Sequence, residues 1–105
     1  MHITFIEAPG FSKLVNDYLD DTEYAALQWT LVLHPQVGDV IPGSGGIRKV
    51  RWAGKGHGKR GGVRVIYYWR NQHGEIWLLS IYAKNEMDNI PDSVLRQLKQ
   101  EIDGP

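Results

Sequence analysis

Apolar positions near the start of the chain follow two periods, first that of a strand and then that of a helix. Residues 2–8 are rich in β-branched and aromatic side chains, which predicts a strand ended by Pro9 and Gly10. Apolar side chains then recur every three or four residues over 11–18 and again over 24–32, which predicts two successive helices. A helical hairpin is therefore expected directly after the first strand.

Signals at both ends delimit the second predicted helix. Asp20 and Glu23 have the spacing of a capping box, in which each side chain binds the backbone N–H of the other residue. Pro35, directly after His34, ends the helix because proline cannot continue its hydrogen bonding. The positions predicted to be buried are Tyr24, Leu27 and Leu31, widened by Ala25, Trp29 and Val32.

The second half of the chain has the pattern of antiparallel strands. Residues 47–53 predict a strand whose apolar positions do not alternate cleanly, which indicates a β-bulge. Residues 63–70 alternate strictly and place Arg64 on the polar face, and a turn over 71–74 leads to a paired strand over 75–84. A C-terminal helix with Pro91 in its first turn is predicted from Ile90, Val94, Leu98 and Ile102.

These elements predict an α+β fold with the order βααβββα. The sheet is expected to be mainly antiparallel with about four strands, flanked by the N-terminal helical hairpin and the C-terminal helix. A length of 105 residues fits one domain, residues 1–105, with one modest core. No cysteine is present, which excludes disulfides and a thiol nucleophile. The chain has no long apolar run or signal-peptide pattern, so we expect a cytoplasmic protein without a membrane partner.

Charge is concentrated in the centre of a chain that is neutral overall. Residues 40–74 contain no acid, whereas residues 1–39 hold six acids and one cation, and residues 75–105 hold six acids and three cations. An acid-free basic centre between acidic ends is the pattern expected of a polyanion-binding protein. The eight central cations are Arg48, Lys49, Arg51, Lys55, Lys59, Arg60, Arg64 and Arg70.

The glycine-rich stretch over 54–64 does not match a known phosphate-binding loop in context. Residues 56–61 fit G-x-G-x-x-G, but that motif needs a following helix, and a strand is predicted here. A P-loop also fails, because Ala53 and Arg60 occupy positions that require glycine and Ser/Thr. The four histidines are scattered without metal-ligand spacing. We therefore expect neither a metal nor a cofactor.

Cations and phenols on the predicted sheet indicate metal-free chemistry on a phosphate. Arg64 and Lys84 occupy polar positions on paired strands, and Tyr82 shares a face with Lys84. RNA supplies its own nucleophile, the 2′-hydroxyl, so an enzyme needs only a base, an acid and positive charge at the phosphate oxygens. Crowded ammonium groups also favour a neutral lysine that can act as the base.

Four motifs closely resemble the RelE/HigB-like toxins of bacterial toxin–antitoxin systems. They are G-x-R-K-x-R at 46–51, K-G-x-G-K-R-G-G at 55–62, R-V-I-Y-Y at 64–68 and Y-A-K-N-E at 82–86. The resemblance implies a ribosome-dependent endoribonuclease that cuts translated mRNA in the A site. It also implies a metal-free reaction that leaves a 2′,3′-cyclic phosphate and inhibits translation.

The resemblance also implies roles for individual residues. Arg64 and Lys84 would stabilise charge at the scissile phosphate, and Lys55, Lys59 or Tyr82 would transfer protons. Which residue is the acid and which the base stays open, since the family varies at these positions. The residues expected to bind ribosomal RNA are Arg48, Lys49, Arg51 and Arg60, with His57 as a weaker candidate, and Glu86 is expected to be a helix-start carboxylate.

The implied partners are the ribosome with its mRNA and a cognate antitoxin, expected to be a HigA-like helix-turn-helix protein. The free toxin is expected to be monomeric and to form a hetero-oligomer with the antitoxin. Two alternatives stay open: a non-catalytic, ParE-like toxin that binds DNA gyrase, and an inactive relative that binds only RNA or the antitoxin. The dense central cations favour the ribonuclease, because a gyrase-binding protein has no evident use for them.

Overall fold

The computed structural model describes residues 2–54 and 62–104 and contains three helices and five strands within them. Helix α2 begins with the predicted capping box: Asp20 accepts from the backbone N–H of Glu23 at 2.7 Å, and Glu23 accepts from that of Asp20 at 2.8 Å. The elements are β1 (Thr4–Glu7), α1 (Pro9–Tyr18), α2 (Asp21–Leu33), β2 (Asp39–Val40), β3 (Arg48–Trp52), β4 (Val63–Arg70), β5 (Glu75–Ala83) and α3 (Asp92–Asp103), with a 3₁₀ turn at Asn71–His73.

The strands form one mixed sheet in the order β1-β5-β4-β3-β2. β1 pairs parallel to β5, while the other neighbours are antiparallel. The predicted α+β fold is confirmed, with one strand more than expected. That strand is β2, whose two residues pair with Arg48 and Lys49 inside a segment predicted to be a loop.

The predicted bulge lies in a different place. β3 pairs with β4 in unbroken register from Arg48 to Trp52, so the prediction of a bulge in β3 is wrong. The register shifts instead between β4 and β5, where Ile66 pairs with Ser80 and Tyr67 pairs with Leu78. Alternation in β3 is irregular for another reason: charged side chains project from both of its faces near the edge of the sheet.

Both faces of the sheet are covered, so residues 63–67 of β4 are buried whichever face they project from. Helices α1 and α2 pack on one face, where Phe11 and Leu31 join Val65 in a buried cluster. Helix α3 packs on the other face, where Leu95 joins Ile66. Arg64 therefore projects into the layer beneath α3 and not into open solvent.

Three details of the predicted helices differ in the structure. Ala25 and Trp29 are exposed and do not widen the buried stripe of α2, because that helix is covered on one side only. In α3 the buried positions are Leu95 and Ile102, while Val94 is 38% exposed. Pro91 is the N-cap of α3 and lies just before its first turn.

None of the helices in residues 2–54 and 62–104 is long and apolar enough to span a membrane.

Candidate functional site

Three polar side chains form a row across one face of the sheet. Arg51 of β3 pairs directly with Arg64 of β4, and Arg64 pairs directly with Tyr82 of β5. Directly paired residues project from the same face with their Cβ atoms about 5 Å apart. Two like charges in this position repel each other, which is destabilising unless an anion lies between them. The row is therefore suited to binding a phosphate.

Arg64 is buried, contrary to the prediction that it lies on a polar face. It is only 7% exposed, since α3 and the segment before it cover this side of the sheet. Its Nη1 atom has no hydrogen-bond partner among the residues that the structure describes. Burying a charged donor without a partner costs free energy, and native structures rarely do so without a reason. A bound anion would supply the missing acceptor.

Tyr82, next to Arg64, is also buried and also has a polar side-chain atom without a hydrogen-bond partner among the described residues. Its side chain is 3% exposed, and its hydroxyl has no hydrogen-bond partner within the described part of the chain. Burial raises the pKa of Tyr82 above its ordinary value, the Arg64 charge opposes this rise in pKa, and Asp88 adds to it. The hydroxyl therefore stays protonated at neutral pH and is available as a proton donor.

Lys84 lies two residues beyond Tyr82, in the turn that follows β5. It is exposed, and its backbone N–H donates to the carbonyl of Gly62 at 3.3 Å. It was predicted to be part of the strand on the face of Tyr82. Because β5 ends at Ala83, the turn and not the strand pleat directs the Lys84 side chain.

Glu86 connects this turn to the end of α1. Its carboxylate accepts from the backbone N–H of Ala83 at 3.0 Å and from the hydroxyl of Tyr18. The hydrogen bond to Glu86, together with burial, raises the pKa of Tyr18 to about 12. The expected helix-start role of Glu86 is wrong, because α3 begins six residues later at Asp92. Tyr18 had not been singled out from the sequence, since nothing local indicates a partner 68 residues away.

The glycine-rich segment leaves and rejoins the sheet beside this row. Gly54 follows β3, and a Cβ atom there would clash with the carbonyl oxygen of Tyr18, so glycine is required for close packing. Gly62 precedes β4 and contacts the turn at Lys84. The four predicted site residues of this segment lie in 55–61, outside the described residues; they are Lys55, His57, Lys59 and Arg60.

The structure separates the three cations of β3. Lys49 and Arg51 share the face of Arg64, and Lys49 Nζ donates to the side-chain oxygen of Asn89 at 3.2 Å. Arg48 projects from the opposite face, where its Nη1 donates to the carbonyls of Gly38 at 2.7 Å and Gln36 at 3.2 Å. Arg48 thus stabilises the connection after α2 and does not lie beside the row.

The described ranges contain no group of three or more His, Asp or Glu side chains arranged to hold a metal ion. The side chains of the row carry two guanidiniums and a phenol, with an ammonium in the adjoining turn. Such donors bind anions and not cations. The arrangement is suited to an anion such as a phosphate.

Comparison with known proteins identifies the family of this fold and site. The structure aligns with that of the E. coli toxin RelE, solved in the free state with two arginines replaced by alanine. The TM-score is 0.63 at 15% identity, over 97% of this chain and 99% of that one, which shows a shared fold.

The family model described as the RelE toxin of the RelE / RelB toxin–antitoxin system matches residues 41–102. This match covers more than half of the chain and includes the whole row of Arg51, Arg64 and Tyr82. The chain therefore belongs to the RelE toxin family, as its motifs predicted. Membership implies a cognate antitoxin as partner.

Proposed function

We propose that this protein is a ribosome-dependent mRNA endoribonuclease that inhibits translation by cutting mRNA in the ribosomal A site. The observation that carries the proposal is the pair of adjacent buried groups, Arg64 Nη1 and the Tyr82 hydroxyl, which have no hydrogen-bond partner among the described residues. One phosphate oxygen and one leaving oxygen would satisfy both. Membership in the RelE family supports the same reaction class.

In the proposed reaction the 2′-hydroxyl attacks the adjacent phosphorus while the bond to the 5′-oxygen breaks, which leaves a 2′,3′-cyclic phosphate. Arg64 stabilises the charge that develops on the equatorial phosphate oxygens, and Lys84 adds to this from the turn. Tyr82 donates a proton to the leaving 5′-oxygen, because its raised pKa keeps it in the protonated form. Lys55 and Lys59 are the candidates for the base that takes the proton of the 2′-hydroxyl.

Binding to the ribosome is assigned to cations at the margin of the row. Arg51 is exposed and Lys49 partly exposed, on the face of Arg64, where both can reach phosphates of ribosomal RNA. Arg60 and His57 are proposed for the same role from the sequence. The burial of Arg64 supports a requirement for the ribosome, because the mRNA must be held in a fixed geometry to reach this side chain.

The test uses purified ribosomes programmed with a defined mRNA, and the cut sites are mapped by primer extension. Wild-type protein should cut within the A-site codon and leave naked mRNA intact. Tyr82→Phe should reduce single-turnover cleavage by roughly 10²-fold or more, since it removes the proton donor. Tyr68→Phe is the matched control: it makes the same atomic change on the same sheet face, and cleavage should stay unchanged.

Three results would contradict the proposal. Efficient cutting of naked mRNA would remove the ribosome from the mechanism. Intact mRNA in expressing cells, together with altered DNA supercoiling, would identify the gyrase-binding alternative instead. Intact mRNA with normal supercoiling would indicate an inactive relative.

A further inference from the structure

The turn after β5 binds both peptide groups that join Tyr82 to Lys84. The amide N–H between Tyr82 and Ala83 donates to the Glu86 carboxylate at 3.0 Å. The next carbonyl, that of Ala83, accepts from the backbone N–H of Glu86 at 3.0 Å and from that of Met87 at 3.3 Å. The turn therefore closes back on the stretch of backbone that carries the two proposed catalytic side chains.

The position of Ala83 at the end of β5 explains why its N–H needs an acceptor from a side chain. Residues of an antiparallel strand direct their N–H groups alternately towards the partner strand and away from it. The N–H of Lys84 points to the side of β4, where it donates to Gly62, so that of Ala83 points to the opposite edge. β1 follows this edge only as far as Leu78. Beyond that residue the Glu86 side chain supplies the acceptor instead.

Tyr18 fixes the Glu86 carboxylate to the body of the domain. The oxygen that binds Ala83, Oε1, also accepts from the hydroxyl of Tyr18 at the end of α1. Glu86 is exposed, whereas Tyr18 is partly buried and packs against the core cluster under α1 and α2. The location of the carboxylate is therefore set by the core and not by the turn alone.

We propose that Glu86 is a positioning residue for mRNA cleavage, whose carboxylate holds the backbone between Tyr82 and Lys84 so that both side chains reach the same phosphate. This inference rests on the proposed ribonuclease function. Glu86 acts through these two residues and not on the RNA itself. Lys84 depends on it more than Tyr82 does, because Tyr82 is also fixed by packing at 3% exposure, while Lys84 is exposed in the turn.

Two substitutions separate the reach of the Glu86 side chain from its charge. Glu86→Gln keeps the length and the acceptor oxygen and removes the charge, whereas Glu86→Asp keeps the charge and is too short to serve both donors. Single-turnover cleavage on saturating programmed ribosomes should stay close to wild type for Glu86→Gln. It should fall roughly 10-fold or more for Glu86→Asp and up to roughly 10²-fold for Glu86→Ala, the effect of a displacement of about 1 Å.

The dependence of the rate on ribosome concentration distinguishes positioning from docking. The ribosome concentration that gives half the maximal rate should be the same for all three variants and wild type. The reason is that Lys49 and Arg51, which are proposed to bind ribosomal RNA, lie on β3 and not in this turn.

Glu7→Ala is the matched control for a loss of stability. Glu7 is a carboxylate at the end of β1 that accepts from the hydroxyl of Tyr24, so it also joins a strand end to the helical hairpin. Its partner in β5 is Leu78, which is four residues from Tyr82, about 14 Å at ~3.4 Å per residue. Glu7→Ala should lower the melting temperature, measured by circular dichroism, about as much as Glu86→Ala, and leave cleavage unchanged.

Three outcomes would overturn the inference while the wild-type protein cuts mRNA. Glu86→Gln as slow as Glu86→Ala would show that cleavage needs the charge and not the hydrogen bonds. Glu86→Asp at the wild-type rate would show that the turn needs no such support, even if Glu86→Ala does not fold. Glu7→Ala as slow as Glu86→Ala would reduce both effects to stability. A wild-type protein that cuts no mRNA would instead contradict the proposed function, and this inference with it.

Discussion

Arg64 carries its charge into a site that is only 7% exposed, where Nη1 has no acceptor among the described residues. Its cross-strand neighbour Arg51 is another cation, so local packing and local electrostatics both disfavour this residue in the free protein. Proteins keep such unfavourable groups at functional sites, where a ligand compensates for the cost on binding. Stability and activity should therefore respond to substitution of Arg64 in opposite directions.

Replacing Arg64 by methionine tests this at the scale of one residue. Methionine retains much of the buried aliphatic volume, so the variant should leave no large cavity, while it removes the Nη1 donor that has no acceptor among the described residues. We expect the melting temperature, measured by circular dichroism, to be unchanged or raised. Single-turnover cleavage on saturating programmed ribosomes should fall by roughly 10²–10³-fold. A folded Arg64→Met protein that cleaves at the wild-type rate would place the active site elsewhere.

Contacts between elements hold the site in position, and Glu86 makes one that joins residues 68 positions apart in the chain. Its carboxylate joins the hydroxyl of Tyr18, at the end of α1, to the turn that carries Lys84. Gly54 packs against the carbonyl of the same tyrosine. The end of α1 therefore supports both the turn after β5 and the departure of the glycine-rich segment from β3.

The Tyr18–Glu86 contact predicts a specific dependence of stability on pH. The pKa of Tyr18 is raised from an ordinary 10.0 to about 12 in the folded protein, first by the hydrogen bond to Glu86 and then by burial. Because the folded pKa is the higher one, the contribution to stability is complete below pH 10. It is lost as the pH rises from 10 towards 12.

Tyr18→Phe should remove that contribution. At pH 8 the variant should be less stable by about 1 kcal/mol, the usual magnitude for one hydrogen bond, which for a domain of this size lowers the melting temperature by roughly 4–8 °C. The difference between the two proteins should shrink between pH 10 and 12. Tyr24, whose pKa is also raised by burial and by Glu7, is present in both proteins and cancels in the comparison. A difference that stays constant across this range would contradict the contact.

At the scale of helices and strands, the sequence predicts a feature only where the residues that determine it lie close together in the chain. The capping box of α2 and the two faces of β4 follow from spacing alone, and both are confirmed. The burial of Arg64 and the exposure of Trp29 do not follow, because periodicity separates two faces without showing which of them another helix covers. The partner of Glu86 is equally invisible, since it lies 68 residues away in the chain.

At the scale of the whole molecule, folding distributes the central charges over different surfaces. Lys49 and Arg51 stay beside Arg64, while Arg48 crosses to the opposite face and binds backbone carbonyls. Asp20, Asp21 and Glu23 lie at the N-terminal end of α2, while Asp39 of β2 pairs with Lys49. A chain with no net charge thus keeps a local group of cations beside Arg64 that can face a polyanion.

Ribosome affinity should consequently fall steeply with salt, because each cation–phosphate contact releases a counterion when it forms. Arg51→Ala should lower the slope of log affinity against log salt by about 1, the value for one phosphate contact. Single-turnover cleavage at saturating ribosome should stay nearly intact, since Arg51 is exposed at the margin of the row. Arg48→Ala is the control on the opposite sheet face: it should reduce stability, by freeing the carbonyls of Gln36 and Gly38, and leave the salt slope unchanged. Filter binding at ionic strengths from about 50 to 200 mM, the range over which such contacts change affinity strongly, measures both slopes. An affinity that stays flat over this range, or equal slopes for wild type and Arg51→Ala, would show that the basic side of the sheet does not dock on ribosomal RNA.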